Sequence, residues 1–158
     1  MVMGWALERF SLTKAVPLTI SRGTTASVVR LELRLKRDGL IGRGETGGFE
    51  TGHRAFGLEA VEQELLALLP QLDALDPNLP QRFEPLLKRL SPPARCAIDL
   101  ALWDWHGQRL GHPLWRLWGL DPAEGVATSV TLGLASVCLL YTSPSPRDYA
   151  ASRMPSSA

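Results

Sequence analysis

The sequence has 158 residues, of which 45% are hydrophobic and 21% are charged, and its formal net charge is +1. This composition is typical of a soluble globular domain with one core, and a net charge near zero gives no electrostatic basis for binding nucleic acid or an anionic membrane. The apolar runs of the sequence, such as that at residues 137–141, are far shorter than the roughly 20 residues that span a bilayer. Charged residues near the N-terminus argue against a signal peptide, and two cysteines without CxxC spacing argue against a disulfide scaffold or a zinc site. A cytoplasmic protein is therefore predicted.

The first part of the chain predicts a small antiparallel sheet. Along residues 29–36, valine or leucine alternates with a charged residue, which is the period of a strand with one buried face. The Asp-Gly pair at residues 38–39 can adopt the positive φ angles of a tight hairpin turn, and residues 40–43 begin the returning strand. A less regular alternation at residues 5–16 predicts an earlier strand.

Helices follow the predicted sheet. The first has an apolar stripe that is interrupted at Pro70, whose ring removes a backbone hydrogen bond, so its regular part is predicted to end near Leu69. A turn is predicted at residues 77–80, and a second apolar stripe comes after it. A sheet first and helices after it is the order of an α+β fold. The two stripes consist of Leu58, Val61, Leu65, Leu68, Leu69 and Leu72, and of Phe83, Leu86, Leu87 and Leu90.

Residues 91–119 predict a buried helix followed by a short capped one. Ser91 can accept hydrogen bonds from the free N–H groups of the first turn, and Gly111 is the predicted C-terminal cap. Pro113 begins the short helix, and Gly119 ends it. Small side chains on the apolar face of the longer helix allow a neighbouring element to approach closely. That face consists of Ala94, Ala97, Ile98, Ala101, Leu102 and Trp105.

The pattern AxDxALWDxxGxxxGxPLxxLxG at residues 97–119 resembles the end of the N-terminal capping domain of the enolase superfamily, in its muconate-lactonizing and dipeptide-epimerase branch. The resemblance covers about residues 5–136. It implies an α+β capping domain over residues 1–122, with a three-stranded antiparallel sheet followed by a small helical bundle. It also implies that residues 123–136 form the first strand of a (β/α) barrel that is truncated after this strand.

The last part of the chain has a different character. Residues 137–158 show no amphipathic period and are rich in serine and proline, so they are predicted to be a disordered tail. The run CLLYTSPSPRD within them resembles a translated sequencing adapter. We therefore expect this tail not to be native protein.

Three residues are candidates for contact with a substrate. Residues 17–24, PLTISRGT, resemble the mobile specificity loop of dipeptide epimerases, in which an arginine at the place of Arg22 contacts the distal carboxylate of a glutamate. A planar guanidinium binds a carboxylate with two charge-assisted hydrogen bonds. Phe49 belongs to a segment that resembles the second loop of the capping domain, where it forms an apolar wall or packs in the core. Thr131 matches a threonine that faces substrate at the mouth of the first barrel strand, with ordinary strand packing as the alternative.

The resemblance implies a magnesium-dependent isomerase as the full-length parent, with a dipeptide of the L-Ala-D/L-Glu type as substrate. The family removes a proton next to a carboxylate, stabilises the enediolate on Mg²⁺ and reprotonates the carbon, and the epimerases use two lysines as acid and base. These lysines and the acidic metal ligands lie on later barrel strands. No catalytic residue, no metal ligand and no turnover are therefore predicted for the 158 residues; whether this chain is an enzyme stays uncertain, and homo-oligomer formation is left open.

Other interpretations of the sequence remain. A muconate cycloisomerase or an o-succinylbenzoate synthase shares the scaffold, and a non-catalytic α+β interaction domain needs no barrel. Residues 42–47 satisfy GxGxxG, but a hairpin precedes them and no helix begins at the third glycine, which argues against a dinucleotide site. His106 lies on the polar side of its helix and is predicted to be a surface residue, not a ligand.

Overall fold

A three-stranded antiparallel sheet begins the fold, and helices follow it, which confirms the predicted α+β class. The computed structural model of the chain describes residues 4–20, 23–50 and 52–128. Within these ranges the strands are β1 (Gly4–Ile20), β2 (Gly23–Arg37), β3 (Leu40–Thr46), β4 (Phe49–Glu50) and β5 (Ala55–Phe56). The α-helices are α1 (Leu58–Asp73), α2 (Glu84–Leu87), α3 (Pro92–Leu110) and α4 (Leu114–Leu117), and 3₁₀ turns lie at Pro80–Phe83 and Pro122–Glu124.

The chain divides into two compact units, one of residues 1–12 and 28–126 and the other of residues 13–27 and 127–158. In the second unit the described residues include segments of β1 and β2, where the hydroxyl oxygens of Thr19 and Thr24 lie 2.9 Å apart. Residues 125–128 adopt no regular secondary structure. The remainder of the predicted barrel strand, from residue 129 onward, and the predicted tail lie outside the described residues.

The hairpin of β2 and β3 supplies the sheet side of the core. Asp38 and Gly39 have φ angles of 53° and 76°, which confirms the predicted turn. From this turn the two strands pair in a continuous antiparallel register that ends with Leu31 opposite Thr46. The alternation predicted for β2 is confirmed over residues 31–35, where every second residue is buried, but Val29 is 42% exposed. The buried residues are Leu31, Leu33 and Leu35.

β3 and α3 pack backbone against backbone. A Cβ atom added to Gly42 would lie 2.2 Å from the carbonyl oxygen of Ala101, and one added to Gly44 would lie 1.9 Å from that of Ala97. Both distances are far inside van der Waals contact, so the strand glycines and the helix alanines fit together as one set. The close approach predicted for the small face of this helix is confirmed, and the GxGxxG pattern has a packing role here.

α1 continues past Pro70 to Asp73, so the predicted end near Leu69 was wrong. Pro70 is exposed, while Leu72 in the last turn is fully buried in the core. Burial of this leucine offsets the hydrogen bond that the proline ring removes from the helix. Tertiary packing, which the local pattern does not contain, therefore decides where α1 ends.

Both ends of α3 have the predicted caps. Ser91 Oγ accepts a hydrogen bond from the N–H of Ala94 at 3.4 Å, and Gly111 has a φ of 65°. The hydroxyl and the N–H of Ser91 both donate to the carboxylate of Glu64, so this cap also joins α3 to α1. Gly119 follows α4 with a φ of 67°, as predicted for its end.

Candidate functional site

Of the three residues predicted to contact a substrate, Phe49 lies within the described residues, and Arg22 and Thr131 lie outside them. Phe49 begins β4, which pairs with β5 so that Phe49 stands opposite Phe56. The two ring centroids are 5.0 Å apart. The Phe49 side chain is 42% exposed, so it is not a core residue. We call the pair of β4 and β5 the Phe ribbon.

A cavity of about 360 Å³ lies beside the Phe ribbon. It lies at the end of β3, beside the loop that contains Gly47 and Gly48. An aromatic ring and two prolines give it apolar walls, and a guanidinium and a carboxylate give it charge, a combination typical of a small-molecule pocket. The lining includes Arg30, Glu45, Gly47 and Phe49 from the strands and the loop, and Pro92, Pro93 and Cys96 from α3.

Arg30 and Glu45 form an ion pair in this pocket, with 3.5 Å between Nε and Oε1. Their side chains are 36% and 54% exposed. The Nε atom of Arg30 is buried and has no hydrogen-bond partner among the described residues. Since the two charges neutralise each other, the pocket has no strong preference for an anion or a cation.

Thr46 holds the two sides of the pocket together. Its Oγ1 donates a hydrogen bond to the carbonyl oxygen of Pro93 at 2.9 Å. This bond joins the last residue of β3 to the first turn of α3, where the exposed free thiol of Cys96 also lies. The walls of the pocket are therefore carried by regular elements, which hold side chains in place more firmly than loops do.

The charged face of β2 extends from Arg30 through Glu32 and Arg34. Arg34 lies 2.6 Å from the Glu8 carboxylate of β1 and also pairs with Glu32, whose other oxygen is 2.6 Å from Arg43 of β3. Burial raises the pKa of Glu32, but hydrogen bonds from Arg43 and Arg34, together with their charges, outweigh it and hold the pKa below its usual value. This network joins the three strands through paired charges.

The described residues contain no group of three or more His, Cys, Asp or Glu side chains that could hold a metal ion. Magnesium binds through carboxylate and water oxygens in an octahedral arrangement. This part of the chain does not fit a Mg²⁺ site, and no chemical step through the metal follows from it. In the same ranges, no helix is both long enough and apolar enough to cross a membrane.

His106 is not the surface residue that its helix pattern predicts. Its side chain is half-buried, and Nε2 lies 2.7 Å from the carbonyl oxygen of Pro77. The rings of Trp103 and Trp105 have centroids 5.8 and 5.3 Å from the imidazole. The turn that contains Pro77 meets α3 at this point, and the spacing of residues within one helix cannot show such a contact.

Sequence patterns do not identify Arg30 and Gly47 as parts of the pocket. The alternation along β2 assigns Arg30 only to a charged strand face. One local signal does exist, because Gly47 and Gly48 directly precede Phe49, and successive glycines mark a close backbone approach. What approaches them is decided by the pairing of β2 with β3.

The chain matches the family described as mandelate racemase / muconate lactonizing enzyme, N-terminal domain, over residues 7–119. It is 28% identical over 134 residues to the L-Ala-D/L-amino acid epimerase of Maribacter sp.. That alignment covers 84% of this chain and 39% of the Maribacter protein. It is 32% identical over 126 residues to the hydrophobic dipeptide epimerase of Roseobacter litoralis, which covers 78% of this chain and 35% of that protein.

A solved structure shows the same likeness. The dipeptide epimerase of Methylococcus capsulatus, complexed with Mg and L-Arg-D-Lys, matches with a TM-score of 0.69 and 28% identity. The match covers 94% of this chain and 42% of that one. The chain therefore spans 35% to 42% of the length of these three relatives.

Proposed function

The chain belongs to the mandelate racemase / muconate lactonizing enzyme family of the enolase superfamily, and from this premise we propose that it forms the capping domain of a dipeptide epimerase. The observation that carries the proposal is the activity of the relatives, since the curated proteins that match 73% to 84% of the chain are dipeptide epimerases. They favour this activity over that of a muconate cycloisomerase, an o-succinylbenzoate synthase or a non-catalytic domain.

In this proposal the capping domain comprises residues 1–122, and residues 123–136 begin the barrel. Mg²⁺, when bound in the parent enzyme, supplies positive charge for the intermediate formed by proton removal next to a carboxylate. The described residues offer no ligand set for that ion, so their own part is to bind and orient the dipeptide and to exclude water. That the 158 residues alone are inactive, and that residues 137–158 are not native, stay predictions.

The candidate contacts indicate which dipeptide the site accepts. The Arg22 guanidinium suits a side chain with a distal carboxylate. The exposed ring of Phe49 stands beside a pocket in which Arg30 and Glu45 neutralise each other, and this pocket suits an apolar side chain. The family resemblance assigns the distal carboxylate of an L-Ala-D/L-Glu dipeptide to Arg22 and a substrate-facing place to Thr131. One relative, from Bacteroides thetaiotaomicron, is an L-Ala-D/L-Glu epimerase.

A chimera tests the proposal. Residues 1–122 replace the corresponding part of the Methylococcus capsulatus dipeptide epimerase, and NMR follows exchange of the α-proton with deuterium for a panel of dipeptides. We expect turnover with a preference shifted from that of the parent enzyme toward L-Ala-L-Glu. A folded chimera that exchanges no dipeptide, or one whose preference equals that of the parent, would contradict the proposal.

Arg22→Ala in the chimera tests the carboxylate contact. A charge-assisted hydrogen bond contributes about 1.5–3 kcal/mol, so kcat/KM for L-Ala-L-Glu should fall by about tenfold to a hundredfold. The same value for L-Ala-L-Ala should change little, because that dipeptide has no distal carboxylate. An equal loss for both dipeptides would refute the role of Arg22. Phe49→Ala is the matched variant and should affect L-Ala-L-Ala and L-Ala-L-Glu alike.

A further inference from the structure

Two consecutive glycines, Gly47 and Gly48, directly precede the Phe ribbon. A Cβ atom added to Gly47 would lie 2.6 Å from Nη1 of Arg30 and 3.1 Å from its Cδ. One added to Gly48 would lie 2.7 Å from the backbone nitrogen of Leu58 and 2.9 Å from the carbonyl oxygen of Phe56. The first residue of this loop therefore lies against an arginine side chain, and the second lies against the backbone at the start of α1.

The Arg30 side chain lies close to residues on both sides of Thr46. The pairing of β2 with β3 ends with Leu31 opposite Thr46, and Arg30 and Gly47 are the next residues beyond that pair. The Arg30 guanidinium covers Gly47 and also forms the ion pair with Glu45, so it touches the residues on each side of Thr46. The Nε atom is buried, although the side chain as a whole is 36% exposed.

We infer that Arg30 is a positioning residue for the Phe ribbon. Its guanidinium holds Gly47 at the end of β3, and the ribbon that follows takes its direction from that contact. The inference rests on the proposed function in one respect: if the pocket receives a dipeptide side chain, Arg30 sets the room beside Phe49 and therefore the size of the side chain admitted. Arg30 then affects binding by positioning Phe49, and it does not itself contact the reacting atoms.

The four phenylalanines of the chain allow a direct test with the 158-residue protein. Biosynthetic 4-fluorophenylalanine gives one ¹⁹F resonance for each, assigned by Phe→Leu variants. Phe49 and Phe56 report on the ribbon, Phe83 on the buried core and Phe10 on β1. Arg30→Met should shift the Phe49 and Phe56 resonances toward the position of solvent-exposed fluorophenylalanine and leave those of Phe83 and Phe10 in place.

Arg34→Met is the matched control, because it removes an ion-paired arginine from the same strand face without touching the loop. It should leave both ribbon resonances unshifted. Arg30→Lys keeps the charge opposite Glu45 but lacks the planar group over Gly47, so it should shift the ribbon resonances by an intermediate amount. Unshifted ribbon resonances in Arg30→Met, or equal shifts of all four, would overturn the inference.

Gly47→Ala provides an independent variant should Arg30→Met fail to fold. The added methyl group meets Nη1 of Arg30, so the same two resonances should shift in an otherwise native spectrum, and unshifted resonances would overturn the inference. This test requires no turnover. Failure of the chimera therefore refutes the epimerase proposal alone, and unshifted ribbon resonances refute the positioning role alone.

Discussion

β3 packs on α3, and the Phe ribbon follows β3 almost directly in the chain. We nevertheless expect these two regions to tolerate substitutions very differently. At Gly42 and Gly44 an added carbon would meet helix backbone at about 2 Å, and backbone cannot move aside cheaply. In the pocket beside the ribbon, the Phe49 ring is nearly half exposed and Arg30 and Glu45 carry paired charges at the surface. We therefore expect substitutions in the first region to destabilise the fold and substitutions in the second to be tolerated.

The largest effect of adding a single methyl group is expected for Gly44→Ala. The new methyl group would lie 1.9 Å from the carbonyl oxygen of Ala97, so α3 must shift, and the free energy of unfolding should fall by about 3 kcal/mol. Urea denaturation followed by tryptophan fluorescence measures it. Gly57→Ala is the control, because no atom lies within 4 Å of its added Cβ and its φ is −65°. Equal stability of the two variants would show that β3 and α3 do not pack as described.

A smaller effect is expected for Ser91→Ala. It removes the N-terminal cap of α3 and the hydroxyl that donates to Glu64, so the free energy of unfolding should fall by about 1 kcal/mol. Thermal unfolding by circular dichroism measures the change. Ser11→Ala, at an exposed position of β1, should have no measurable effect. Comparable losses in the two variants would contradict the capping role.

The charge network on the sheet should make stability depend on pH. The pKa of Glu32 is lower in the folded protein than its value of about 4.3 in an unfolded chain, so the unfolded state binds its proton first as the pH falls. The stabilisation by ionised Glu32 is present at pH values above its unfolded-state pKa. It is lost as the pH falls through the pKa of Glu32 in the folded protein. Wild type should exceed Glu32→Gln in stability by at most about 1 kcal/mol at pH 7, and the difference should shrink as the pH falls below the unfolded-state pKa.

Glu8→Gln is the control for this network, because Glu8 is 53% exposed and meets one arginine, whereas Glu32 meets two. Its effect at pH 7 should be smaller than that of Glu32→Gln. If both variants lose stability equally, or if the advantage of wild type grows toward low pH, the pairing on this face is not as described.

A small effect on stability is expected for Phe49→Ala, at about 0.5 kcal/mol, because the side chain is 42% exposed and its ring packs on Phe56. Phe83→Ala removes a ring of the same size that is fully buried, and it should cost about 3–5 kcal/mol. The two variants compare the ribbon with the core directly by urea denaturation. A loss for Phe49→Ala close to that for Phe83→Ala would mean that the ribbon is part of the core.

The sequence by itself determined the elements whose causes are local. Alternation along β2 follows from a pleat of two residues, the turn at residues 38–39 from the positive φ angles that Asp-Gly adopts, and the ends of α3 from caps at Ser91 and Gly111. Each cause acts within one strand or one helical turn. The motif at residues 97–119 then indicated the capping fold. The resemblance also identified Phe49 as a member of the second loop of the capping domain, but it did not predict that this side chain is exposed.

Tertiary structure alone decided where α1 ends, what His106 contacts and which side chain holds the base of the Phe ribbon. The last turn of α1 persists because Leu72 reaches the core. His106 contacts a carbonyl oxygen from a distant turn, and the Arg30 side chain lies against Gly47. Each of these contacts joins residues from different elements, so no local period contains it. Its free energy depends on how closely two elements approach, and that distance exists only in the folded chain.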